Sequence, residues 1–278
     1  MTGTSTTATQ QSSNRWGELT VLMENHAAES ELAAEHGLSL WISTPAGTIL
    51  FDTGGSGAFA RNARALGVDL NSADAIVISH GHYDHAGGLR EALAATTAPV
   101  YLGRGATIPK RKRGDDGMED IGMDARIVQS LEGRLRLVDS RTRIMDDVEL
   151  LPAAPLVTDP PSDNARLLRE SAHGDEPDPF EEELYLLLHT PTGPVLVTGC
   201  SHRGIVNIRR EAGELRAIAG GLHLVHESEA DVRRIAGELA GVGELWVGHC
   251  TGDASVRILE AEHPGRVVSI PGGTRLQL

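Results

Sequence analysis

Ile76-Val77-Ile78-Ser79-His80-Gly81-His82-Tyr83-Asp84-His85-Ala86-Gly87-Gly88-Leu89 carries the chain from a short β-branched run into three histidines and an aspartate. Imidazole and carboxylate are the groups that hold Zn²⁺, iron and Mn²⁺. In an extended or turning segment His80 and His82 project to one side, as period-two neighbours do. Asp84 and His85 fall past the turn, where they can face a second metal beside the first. Four polar residues can share a surface loop by chance. Four ligand-type residues packed between positions 80 and 85, directly after a strand, point instead to a metal site.

Composition bounds the rest. A chain of 278 residues has room for one large domain or two small ones. Hydrophobic residues at 40% with 32 glycines suit an α/β protein with many turns, and 3% aromatics leave the core to Ala, Val, Leu and Ile. The net charge of −14 argues against nucleic-acid backbones and anionic membranes as partners, because both need clustered Lys and Arg. The two cysteines, Cys200 and Cys250, lie inside motif-like segments, which is not a disulfide framework and suggests a reducing compartment. No apolar run is long enough to span a membrane. Residues 1–15, rich in Ser, Thr and Gln, lack the apolar segment of a signal peptide and read as a disordered tail. The expected location is the cytoplasm.

Taken in order, residues 19–23 read as a strand, and 38–43 and 48–51 as a hairpin around Pro45-Ala46-Gly47. Asp52-Thr53-Gly54 ends that hairpin. It is either a plain turn or a place where Asp52 accepts a ligand N–H from the neighbouring metal loop. A helix is expected over 59–66, the strand feeding the metal loop over 74–78, a helix over 89–95 and a strand over 99–102. Lys110-Arg111-Lys112-Arg113 is either an anion gate for a substrate phosphate or carboxylate, or a solvated loop balancing the acidic residues that follow. Strands are expected over 126–130, 134–138 and 148–151, opening the second half. Residues 152–183 turn polar and proline-rich, a long loop expected to lie over the site as a lid or substrate wall. Strands follow over 184–189, 195–198, 215–219, 245–247, 266–270 and 275–278, with helices over 204–210, 229–239 and 254–262.

Three later segments repeat the pattern of apolar strand, glycine-rich bend and ligand: Thr198-Gly199-Cys200-Ser201-His202, Gly220-Gly221-Leu222-His223-Leu224 and Gly248-His249-Cys250-Thr251-Gly252. The shared logic brings them to one edge of the fold beside the His80 cluster. Ser201 next to His202 does not make a nucleophile–base pair, because sequence neighbours rarely face each other.

His-x-His-x-Asp-His followed by Gly-Gly-Leu resembles the signature of the metallo-β-lactamase superfamily. With the three later segments, residues 19–278 resemble its 7,8-dihydropterin-6-methyl-4-(β-D-ribofuranosyl)aminobenzene-5′-phosphate synthase-like branch. The resemblance implies an α/β fold, a four-layer αββα sandwich, with residues 16–278 forming a single domain of two pseudo-equivalent halves. It implies two divalent metal ions, zinc first with manganese or iron as alternatives. His80 and His82 would hold the first metal, and Asp84, His85 and His249 the second. The usual third histidine of the first metal is not evident. His173 lies in that interval without the surrounding pattern and reads as a surface residue, so His202 is the better substitute. Cys200 stands where relatives place a bridging aspartate, either as a thiolate ligand or as a buried structural cysteine. Asp84 and His223 are the candidate catalytic residues: Asp84 to orient water and protonate a leaving group, His223 as a substrate-side or supporting residue more than a ligand. Cys250 reads as packing. His26, His36, His189, His226 and His263 read as structural or surface residues, although His36 lies near the hairpin that flanks the site. In the superfamily the Asp-Thr-Gly element recurs next to the site, which favours a bracing role for Asp52.

The resemblance implies a metallohydrolase, or a transferase of the synthase type, acting on a small phosphorylated, ester or lactone molecule. The alternative is a non-catalytic or vestigial ligand sensor on the same fold. Di-iron oxidoreductase relatives carry Glu where this chain has Tyr83 and need a flavin domain missing here. Ribonuclease relatives need a basic exosite, which the net charge opposes, and a β-lactamase fits poorly with the cytoplasmic reading. The expected partner is a small-molecule substrate, with no nucleic acid and no membrane, and a homodimer is allowed.

Overall fold

Alternation along the strands decides which side chains meet. In a computed structural model that describes residues 16–131 and 133–278, two seven-stranded sheets pack face to face. The tail expected over 1–15 lies outside the described residues. The first sheet runs, edge to edge, Arg275–Gln277, Glu18–Met23, Ser39–Thr44, Gly47–Phe51, Ala75–Val77, Val100–Gly103 and Leu135–Val138. The second runs Val267–Ser269, Glu244–Val247, Ala217–Gly220, Gly193–Thr198, Tyr185–Thr190, Val148–Leu151 and Thr142–Met145.

Leu40, Ile42, Ile49, Phe51 and Val77 face inward and meet Leu186, Leu188, Val195 and Val197 from the second sheet in one buried layer. Their alternating neighbours face outward. Trp41, Leu50 and Ile76 pack under Phe59, Leu89 and Ala92 on helices Ala58–Ala65 and Leu89–Ala95. Tyr185, Leu187 and Ile218 pack under Ile208, Val232 and Leu259 on helices Ile205–Ala212, Glu229–Glu238 and Asp253–Glu262. A period of two on both sheets therefore yields helix, sheet, sheet, helix, the expected four-layer αββα sandwich. Each fully buried Leu or Ile contributes roughly 1.5–3 kcal/mol, so the three apolar layers carry most of the stability.

Three expectations are corrected. Residues 126–130, read as a strand from Ile127 and Val128, form the helix Ala125–Ser130. Asp124 caps it by accepting from the Arg126 N–H, and Ile127 is buried in the outer helical layer, so capping and tertiary packing override β-propensity. The strand Leu135–Val138 pairs in parallel with Val100–Gly103 and ends the first sheet rather than opening the second half. The expected basic loop and the expected 152–183 loop are both structured. Lys110–Gly114 and Gly117–Asp120 pair with Leu167–Ser171 and Gly174–Pro177 in a separate four-stranded sheet. Opposite charges hold those polar strands together, Arg111 to Asp175 and Arg169 to Glu176. Among the described residues no helix is long and apolar enough to cross a membrane.

Candidate metal centre

The parallel strands of both sheets end at the same edge of the sandwich, and the loops beyond them carry the site. Ala75–Val77 leads to His80, Gly193–Thr198 to Cys200 and His202, Ala217–Gly220 to His223, and Glu244–Val247 to His249. Glycines let the loops approach. A Cβ on Gly199 would lie 2.1 Å from Ser79 Oγ, and one on Gly221 would lie 2.5 Å from Cys250 Sγ. Asp52, Ser201, His223 and His249 all take positive φ, between 50° and 67°, which costs a non-glycine residue roughly 1–3 kcal/mol. Strained backbone at four positions around one cavity is retained only where the surroundings fix it.

The sequence-derived residues converge. His80, Cys200 and His202 place one donor atom each within 4.8 Å of one another, and so do His85, Cys200 and His249. His82 Nδ1 lies 3.1 Å from His80 Nε2, and its ring is 5.0 Å from that of His202. Asp84 Oδ2 lies 3.4 Å from His249 Nε2 and 3.6 Å from His85 Nε2. Cys200 Sγ is 3.2 Å from His85 Nε2. Two adjacent clusters result: His80, His82 and His202 on one side, Asp84, His85 and His249 on the other, and Cys200 between them.

Four imidazoles are oriented by an outside oxygen on Nδ1. His85 Nδ1 donates to Asp52 Oδ2 at 2.7 Å and His249 Nδ1 to Asn25 Oδ1 at 2.9 Å. His202 Nδ1 donates to Asn164 Oδ1 at 3.1 Å. His80 Nδ1 donates to Ser79 Oγ at 2.9 Å, while that hydroxyl donates to Asp52 Oδ2. Each Nε2 is thereby turned toward the cavity, the nitrogen a metal ligand needs. His85 Nε2 lies 3.2 Å from both His249 Nε2 and Cys200 Sγ, and among the described residues the buried His202 Nε2 has no protein partner. The donor set fits divalent cations.

Electrostatics agree. Burial pushes His80, His82 and His202 well below the ordinary imidazole value, keeping them neutral and able to donate a lone pair. Burial opposes the charge on Asp84, but His85, His249 and His36 beside it hold its carboxyl well below the usual range. Burial likewise opposes a charge on His85, but Asp84 and Asp52 outweigh it to give about 9, so without a cation Nε2 also carries a proton, which a bound cation would displace. Burial pushes the Cys200 thiol up, which a bound cation would reverse.

His223 is buried in the cavity wall, its ring 4.3 Å from that of His202 and one of its nitrogens beside the Cys250 thiol. Asp52 braces the His80 loop as well as His85, taking the Ser79 N–H on Oδ1. His173 lies at an exposed hairpin turn away from the cavity. His263 is structural, bonded through Nε2 to the Ala236 carbonyl.

Four sequence readings change. Lys110 is no gate: its ammonium is buried between Asp178 and Glu182, 5.4 Å from the Phe180 ring. Of the basic run, Lys112 lines the cavity. Cys250 is more than packing, since its thiol groups with Cys200 and His223 within 4.8 Å. His226 lines the cavity, and His36 Nε2 lies 3.2 Å from Asp84 Oδ2, so neither is a remote surface residue.

Sequence reasoning missed the supports. Glu24 accepts the His249 N–H, and the buried Glu183 accepts the His202 N–H at 2.7 Å; burial pushes Glu183 up to about 7. Phe180 stacks on His202 at 3.9 Å. Asn25 and Asn164 each clamp a candidate ligand histidine twice, with Oδ1 on the ring and Nδ2 on the backbone carbonyl. Glu183-Leu184-Tyr185 preceding a buried strand was the one local cue, since an acid there needs a partner.

An αββα sandwich with histidine, cysteine and carboxylate donors converging at the strand ends defines a fold class built around divalent cations. The chain belongs to the metallo-beta-lactamase superfamily, whose family model matches residues 33–206. It is 31% identical to the solved structure of Tm1679, described as a metal-dependent hydrolase of the beta-lactamase superfamily, with a TM-score of 0.82 over 94% of this chain and 99% of that one. It is 27% identical to the 7,8-dihydropterin-6-methyl-4-(beta-D-ribofuranosyl)-aminobenzene-5'-phosphate synthase of Methanocaldococcus jannaschii, over 83% of this chain and 86% of the relative. It is 26% identical to the uncharacterized protein MJ0448 of the same organism, over 90% of this chain and 99% of the relative.

Proposed function

We propose that this protein is a metal-dependent hydrolase or transferase that acts on a small molecule bearing a phosphate, ester or lactone, using two divalent cations, zinc first. The observation that carries the reading is the set of four imidazoles, each fixed through Nδ1 and each presenting Nε2 to a cavity shared with Cys200 and Asp84. His80, His82 and His202 would hold one cation and Asp84, His85 and His249 the other, with Cys200 between. Two such cations acidify water and polarise a carbonyl or phosphoryl oxygen.

The chain's own groups do the rest. Asp84, kept ionised by the imidazoles around it, orients the attacking water by accepting a hydrogen bond from it. His223, at the cavity wall beside the Cys250 thiol, donates a hydrogen bond to the oxygen on which charge develops. The cavity encloses about 710 Å³, a size suited to a small organic molecule. Lys112 at its wall can meet a single anionic group, while Glu119, Asp120 and Asp163 disfavour a polyanion. A small phosphorylated substrate therefore fits better than a nucleic acid. The name of the Methanocaldococcus relative supports the narrower form, a transferase joining a pterin to a ribofuranosyl-aminobenzene phosphate.

The test is metal content by elemental mass spectrometry on protein purified without chelators, beside turnover of phosphomonoester, phosphodiester, lactone and pterin-diphosphate panels. Two cations per chain with turnover of one panel is the expected result. His80→Ala and His82→Ala should each lose metal and turnover together. Either variant retaining both would sink the assignment.

A further inference from the structure

His36 is the imidazole beside the cluster that none of the ligand motifs contains. Its segment is tied to both loops of the second-cation cluster. The Gly37 N–H donates to Asn25 Oδ1, the same oxygen that holds His249 Nδ1, and the Leu38 N–H donates to the Asp84 carbonyl. The chain thus delivers His36 against the ligands by its backbone, whatever its side chain does. His36 Nε2 lies 3.2 Å from Asp84 Oδ2, and its ring centroid is 5.0 Å from that of His249. One donor atom each of His36, Asp84 and His249 falls within 4.8 Å of the others.

A simple hydrogen bond from His36 to Asp84 leaves part of this arrangement unexplained. Asp84 Oδ2 faces three imidazole nitrogens, those of His36, His85 and His249. Two of them, His85 and His249, are held through Nδ1 by Asp52 and Asn25 and turn Nε2 toward the same carboxylate oxygen. A cation among these four groups turns every one of those contacts into an edge of a coordination shell. The His85 and His249 side chains are fully buried, whereas that of His36 is 60% exposed at the cavity mouth, the position from which a ligand can leave.

We propose that His36 is a further ligand of the second cation, joining Asp84, His85, His249 and Cys200, and that it is the detachable one, at the side from which substrate enters. This rests on the two-cation reading above and adds to it a ligand from outside the sequence motifs. A coordination bond and a supporting hydrogen bond differ in what they transmit to the ring nitrogen, so the test reads that bond directly.

Protein grown with ¹⁵N-histidine is loaded with ¹¹³Cd²⁺, cadmium per chain is counted, and ¹⁵N–¹¹³Cd scalar couplings are recorded for wild type, His36→Ala and His36→Gln. The expected result is two cadmium ions in wild type and one coupled ring nitrogen fewer in both variants. The second cadmium should bind at least about 10–100-fold more weakly in both, the range for loss of even a supporting residue. Because the side chain is more than half exposed, thermal melts of the metal-free variants should match wild type. Two cadmium ions with the same number of coupled nitrogens in all three proteins would overturn the assignment and leave the two-cation reading standing. Fewer than two in wild type would overturn both.

Discussion

Asp52 Oδ2 lies 2.7 Å from His85 Nδ1 and 2.8 Å from Ser79 Oγ, so one buried carboxylate oxygen sets the orientation of two candidate ligands, His85 directly and His80 through the serine. Its other oxygen takes the Ser79 N–H. All the contacts to its carboxylate are from donors, which leaves no place for an amide NH₂. Asp52→Asn should therefore weaken cation binding at both positions by about 10–100-fold, the range for supporting residues of metal sites. Titration of the metal-free variant with Zn²⁺ checks it, and an affinity equal to wild type would remove Asp52 from the site.

Lys110 and Lys112 stand two residues apart and should behave oppositely. Lys110→Met leaves Asp178 and Glu182 buried without their cation and should cost about 3–5 kcal/mol of stability. Lys112→Met removes a partly exposed charge from the cavity wall, should shift stability by less than about 0.5 kcal/mol, and should raise KM for a phosphorylated substrate. Denaturant unfolding and steady-state kinetics separate the two. Loss of stability in the Lys112 variant would count against it.

Gly81 separates the two candidate ligand histidines, His80 and His82, because nothing larger fits. A Cβ there would lie 1.9 Å from the Ala106 carbonyl oxygen and 2.9 Å from Lys110 Cε. Gly81→Ala should destabilise the metal-free protein by about 1–3 kcal/mol through forced backbone movement and should lower metal content as well. An unfolding midpoint and metal content equal to wild type would show that the loop can give way.

Glu149, far from the site, sets an acid limb of stability. Burial raises its carboxyl, but Arg141, Arg143 and His189 bonded to it outweigh that and hold it at about 2, against 4.5 for the free group. Its folded-state value is depressed, so its contribution is present above about 4.5 and is lost as pH falls toward 2. Glu149→Gln should flatten that part of the stability profile and change little near neutral pH beyond the loss of the ion pairs. Unfolding midpoints between pH 5 and pH 2.5 are the measurement, and parallel profiles for the two proteins would contradict it.

Much of the fold was legible locally. Period-two runs such as 38–43 and 48–51 can bury both faces only between a second sheet and a helical layer, and they do. The clustering of His80, His82, Asp84 and His85 was legible because strand geometry and one tight turn place them together without help from the rest of the chain. The readings that failed, the helix Ala125–Ser130 and the small sheet over the site, depend on partners far away in sequence. Ile127 finds its burial in the outer layer, and Lys110 finds Asp178.

The sequence by itself determined the donors, their order and the strand ends that carry them, because those follow from short-range geometry and side-chain chemistry. Only the tertiary structure decided what orients them. His249 donates its hydrogen bond to Asn25, 224 residues away, and His202 donates its own to Asn164. His36 reaches Asp84 only because its backbone is pinned to both loops. Such contacts form where loops from two sheets close over one edge, and no periodicity along the chain encodes which residues will meet there.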